Sequence, residues 1–183
     1  MTLPNPEFRQ RVRALAESQW HEPAIAIYLE DVKPEFEVPG RRGDGTVKGK
    51  RLVRRFFWNI LRGTVGGVLS VALSFGSGTA AHVFFRLGLV TGPANAQALG
   101  LVDAARRAHS PWLVYSRSHV AVIDSGLSFA DPADSPPPTV LWHAEKPHAP
   151  LLAPRKQRLT WPDGSEYRFH VRAEENSYLK QSL

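Results

Sequence analysis

The sequence predicts an α+β protein, helical over its first 110 residues and β-rich across 111–183. Three observations carry this expectation. Asp163-Gly164 sits between two strand-like runs, and Asp-Gly supplies the positive φ that a tight hairpin turn needs. Past that turn, Tyr167, Phe169 and Val171 alternate with Glu166, Arg168 and His170, the period-two pattern of a strand with one buried and one wet face. Upstream, apolar residues recur at helical spacing in stretches that end near Trp20 and near His109, which argues for amphipathic helices.

The first helix has a complete start signal. Asn5 can cap, Pro6 fits the first helical position, and Glu7 places an acid in the first turn. Phe8, Val12, Leu15 and Ala16 then fall on one face. Residues 24–29, Ala-Ile-Ala-Ile-Tyr-Leu, read as a short strand, and 34–45 as a linker rich in Pro, Gly and charge. Residues 94–109 read as a second helix, ended by Ser110-Pro111 because the residue before a proline is pushed out of the helical region. Strands are then expected at 112–116, 119–123, 139–143, 157–161 and 166–171, with a closing helix at 174–183.

Composition sets the outer limits. A chain of 183 residues with 43% hydrophobic and 22% charged residues can bury a real core. It has no cysteine, which removes disulfides, thiolate zinc sites, cysteine-held iron–sulfur clusters and a cysteine nucleophile together. The first seven residues carry neither a basic leader nor an apolar run. The expectation is therefore a cytoplasmic protein, at the inner face of the membrane if it meets one.

The net charge is +6, and 17 of the 23 basic residues are arginine. A GC-rich genome alone gives that skew, so the distribution of charge is more informative than its sum. Across 41–62 there are eight basic residues, Arg41, Arg42, Lys48, Lys50, Arg51, Arg54, Arg55 and Arg62, against the single acid Asp44. That local +7 exceeds the charge of the whole chain, so the remainder is close to neutral.

On a helical wheel, Leu52, Phe56, Ile60, Val53, Phe57 and Leu61 occupy roughly 0° to 180°, and Arg54, Trp58, Arg51, Arg62, Arg55 and Asn59 roughly 200° to 340°. Arginines and aliphatic residues thus separate onto two faces. Residues 63–85 that follow hold no charge apart from His82, and small residues recur at Gly66, Ser70, Ser74 and Gly78. On a helix that spacing makes a smooth stripe against which another backbone can pack closely.

A basic amphipathic helix of this kind lies in a membrane interface, with its arginines among anionic headgroups. The bland alternative is a surface helix packed on the protein's own core with its arginines in water. Residues 63–85 are long enough to span a bilayer, but their Gly, Ser and Thr content makes insertion marginal. Nucleic-acid binding ranks lower, because Phe56 and Phe57 sit away from the arginines, where a stacking platform would interleave them. Seven histidines offer no helical ligand pair: His143 and His148 are separated by Pro147. Ser116, His119 and Asp124 compose a triad only on paper, without a nucleophile elbow or an oxyanion-hole pattern. No enzymatic activity and no cofactor are expected.

The C-terminal part is similar to bacterial pleckstrin-homology-like and GRAM-type domains. Residues 112–124 resemble their first strand-to-strand step, 159–171 their hairpin, and 174–183 their closing helix. His119 stands where those domains usually carry Arg, and the loop over 130–138 is long for a minimal module. The resemblance implies a small antiparallel β-roll or partly open barrel closed by a helix, used for binding lipid headgroups or proteins.

The expected organisation is an N-terminal helix and strand over 1–40, the basic and Gly/Ser-rich segments over 41–93, and a helix with the β-module over 94–183. The expected function is attachment to an anionic membrane surface through Lys48, Lys50, Arg51, Arg54, Arg55, Trp58 and Arg62. The alternatives are a protein partner docking on the stripe of Gly66, Ser70, Ser74 and Gly78, and, less favoured, nucleic acid. The residues do not indicate the oligomeric state.

Overall fold

The structure is a computed structural model and describes residues 5–30, 32–48, 88–126 and 131–181. Helix α1 (Pro6–Trp20) begins where its start signal predicts. The Asn5 side chain accepts the Glu7 N–H at 3.0 Å, and His21 ends the helix at a φ of 57°, its N–H returning to the Glu17 carbonyl. Phe8, Val12 and Ala16, four residues apart, form its buried face.

Two sheets follow. The first contains β1 (Ile25–Tyr28), β4 (Pro111–Tyr115), β5 (His119–Asp124) and β6 (Thr139–Glu145) in the order β1-β4-β5-β6, all antiparallel. The second contains β2 (Glu35–Glu37), β3 (Leu89–Thr91), β7 (Leu151–Ala153), β8 (Arg158–Thr160) and β9 (Glu166–Arg168) in the order β2-β3-β9-β8-β7. Only β2 and β3 run parallel.

The first sheet is covered on both faces, which explains why Trp112, Leu113 and Val114, and Val120 to Ile123, are buried without alternation. Ala26, Trp112, Val114, Ala121 and Ile123 meet Phe8, Val12 and Ala16 of α1. Ile27, Leu113, Val120 and Val122 belong to the main core, with helix α2 (Ala98–Arg107) and the inner face of the second sheet: Phe36, Val90, Tyr167 and Leu159. Helix α2 lies at the centre of this core, with Ala98, Leu99, Leu101, Val102, Ala104 and Ala105 all buried. Its start is capped by the Asp-Gly hairpin: Asp163 accepts the Gln97 N–H at 2.8 Å and Ser165 the Ala98 N–H at 3.2 Å.

Helix α3 (Ala173–Gln181) seals the free side of β1. The Glu175 carboxylate, 3% exposed, accepts the Tyr28 N–H and pairs with Arg9 of α1. The Arg9 guanidinium also lies 4.3 Å from the Tyr178 ring centroid.

The predicted arrangement is corrected here, while the α+β class stands. The described part of the first 110 residues is not a helical half: it holds β1, β2 and β3 besides α1 and α2. The C-terminal strands are not one roll or barrel. They divide between two sheets, neither of which closes among the described residues, and each recruits N-terminal strands. The reason lies in strand length and partner distance. Strands β2, β3 and β7 have three residues each, too few to show a period, and β1 finds its partner β4 more than eighty positions downstream.

Candidate functional site

The densest group of polar chemistry among the described residues lies at the β4–β5 turn. Helix α1 ends at Trp20, and the left-handed His21 turns the chain so that Glu22 faces that turn. One Glu22 oxygen accepts the Ser116 hydroxyl at 2.8 Å, the Ser118 hydroxyl, and His119 Nδ1 at 2.7 Å. The Trp20 indole stacks on the His119 imidazole, with centroids 5.0 Å apart and planes 8° from parallel. Glu145 approaches the other imidazole nitrogen at 3.8 Å. The Ser118 hydroxyl, then His119 and Ser116, stabilise the charged form of Glu22 against the cost of burial, and hold its pKa down to about 2.

The Ser118 hydroxyl also lies 2.9 Å from His119 Nδ1. A nucleophilic serine needs the imidazole as its acceptor, with the acid on the opposite nitrogen. Here both hydroxyls and the imidazole Nδ1 converge on one Glu22 oxygen, so the acid shares the nitrogen that faces the serines, and the cluster departs from that template. Asp124, the third member of the paper triad, lies at the far end of β5 from His119, roughly 17 Å along the strand. Its carboxylate accepts the backbone N–H groups of His109, Ser110 and Gly126, which hold it ionised below its usual range although burial opposes this. Among the described residues no group of three His, Asp or Glu side chains is placed to hold a metal.

Of the residues expected to meet an anionic surface or a partner, only Lys48 is described. Lys50, Arg51, Arg54, Arg55, Trp58, Arg62, Gly66, Ser70, Ser74 and Gly78 lie outside the described residues. Lys48 is exposed at the end of a reverse turn that follows β2, with its N–H on the Gly40 carbonyl at 2.8 Å. Arg41 is held in that turn by two hydrogen bonds to Asp103 of α2, at 2.8 and 2.5 Å. Arg41 and Arg106 lie 5.6 and 5.4 Å from the Phe36 ring centroid. The acid Asp44 is engaged by the Thr46 N–H and hydroxyl. Arg42, Lys48 and Arg106 stay exposed around the point where the chain enters the basic segment.

Glu22, Trp20 and Ser118 had no signal in the sequence. Glu22 meets its partners across more than ninety residues, so only the fold brings them together.

Searches against protein-family models, curated proteins and solved structures find no match. The likeness to pleckstrin-homology-like domains therefore rests on its sequence pattern. Among the described residues, no helix is long and apolar enough to cross a membrane.

Proposed function

We propose that this protein attaches to anionic lipid surfaces through the basic stretch 48–62. The observation that carries the reading is the separation of Arg51, Arg54, Arg55 and Arg62 from Leu52, Phe56, Ile60 and Leu61 on a helical wheel. Two structural facts support it. The chain enters the stretch beside Arg42, Lys48 and Arg106, which are exposed cations, while Asp103 is already engaged by Arg41. The described residues on either side of 49–87 also lie close together: β2 and β3 are adjacent strands at one side of the second sheet, and Glu35 N–H meets the Gly88 carbonyl at 2.7 Å.

Co-sedimentation with vesicles of neutral and of anionic lipid tests the proposal. Each cation near an anionic surface contributes on the order of 1 kcal/mol. Reversing Arg51, Arg54, Arg55 and Arg62 to Glu is therefore expected to lower partitioning onto anionic vesicles by roughly a hundredfold or more, with the far-ultraviolet spectrum unchanged. Equal binding to both vesicle types, or to neither, overturns the electrostatic reading. Unfolding of the variant would instead place these arginines in the structural core.

A further inference from the structure

On the edge of the second sheet opposite β2, an open groove of about 550 Å³ lies between the loop after β6 and the end of β8. Ala149 and Trp161, 6% and 3% exposed, form its deeper part, and Pro147, Pro162 and Leu151 its sides. Leu151 is 64% exposed on the short edge strand β7, and with Pro147, Pro162 and Trp161 it gives the groove a mostly apolar lining. The volume falls in the range of small-molecule sites, roughly 300–1,000 Å³. The charge of the lining is one-sided: Lys146 is its cation, and no carboxylate lines it among the described residues. Across 146–156 the sequence Lys-Pro-His-Ala-Pro-Leu-Leu-Ala-Pro-Arg-Lys carries cations at both ends and no acid.

We propose that this groove binds a small amphipathic anion, an apolar body ending in a carboxylate or sulfonate. The apolar walls gain from covering a hydrocarbon or aromatic body, at roughly 25 cal/mol per Å² removed from water. The Lys146 ammonium then selects an anionic end over a neutral one. The site is built from other residues than the proposed lipid attachment, at the edge of the sheet opposite β2.

The test is a fluorescence titration of the full chain with 1-anilinonaphthalene-8-sulfonate at neutral pH, followed by displacement with decanoate and with decanol. One saturable site per chain is expected, with decanoate displacing the dye at lower concentration than decanol. Lys146→Glu should weaken dye binding about tenfold, and Lys146→Gln about threefold. Leu151→Asp, on an exposed side chain, should also weaken it with the fold intact. The charge-reversed Arg51, Arg54, Arg55 and Arg62 variant should bind the dye as the parent does. Absence of saturable binding, equal displacement by decanol, indifference to the Lys146 and Leu151 variants, or loss of the dye in the arginine variant each overturns the proposal.

Discussion

Glu22 shows how much one carboxylate can organise. Its pKa, near 2 in the fold against an ordinary value of 4.5, means that folding favours the ionised form. The resulting stabilisation is fully present above about pH 4.5 and is lost as the pH falls toward 2. Urea midpoints of the parent and Glu22→Gln are therefore expected to converge as the pH drops through that window. A gap that stays constant from neutral pH down to 2 would show that the ionised carboxylate is not what fastens Trp20 and His119. Arg9 and Glu175 make a second residue-scale case. Glu175 is buried and Arg9 half-buried. Removing Arg9 therefore leaves a buried carboxylate without its cation, at a cost below the roughly 3–5 kcal/mol of a fully buried pair. Replacing both partners with apolar residues costs less than the two single changes together. In chemical denaturation the double variant Arg9→Leu/Glu175→Leu is thus expected to lose less stability than Arg9→Leu and Glu175→Leu summed. A double variant as unstable as the sum of the two single changes would contradict this.

At the scale of elements, helix α2 is the piece on which the two sheets depend. Gly100 in its first turn has no side chain because Trp142 of β6 occupies the space: a Cβ there would come within 2.9 Å of the indole nitrogen. Helix propensity alone would favour alanine at this position by about 1 kcal/mol. Overpacking costs about 1–3 kcal/mol, and the rigid indole has to move, so Gly100→Ala is expected to lower stability. The change should become neutral or stabilising in a Trp142→Leu background. Thermal melts of the four proteins in that cycle measure the coupling, and additive effects would refute the contact. The same helix explains the prominence of the Asp163-Gly164 hairpin in the sequence. Its turn residues serve two elements, reversing β8 into β9 and capping α2 through Asp163 and Ser165.

For the whole molecule, the order of strands makes a prediction about the segment 49–87. Strands β2 and β3, which flank that segment in the chain, are paired neighbours, and the described residues form two well-buried clusters. Replacing 49–87 by a Gly/Ser linker of about twelve residues, enough to run back along a short strand, is expected to leave the fold intact and to remove binding to anionic vesicles. Retained binding would move the lipid contact elsewhere. Loss of the folded state would show that the segment completes a core.

The sequence by itself determined the local elements whose signals are contained within a few residues. The start of α1 followed from Asn5-Pro6-Glu7, the β8–β9 turn from Asp163-Gly164, and the inward face of β9 from Tyr167. It also determined where the charge is concentrated. Only the tertiary structure decided which strands share a sheet, because β1 with β4 and β3 with β9 are pairings between distant segments that no local period encodes. The same holds for the Glu22, Ser116, Ser118 and His119 cluster, and for the groove beside Leu151. Each is assembled by strand order, from residues that are ordinary until the fold brings them within reach of one another.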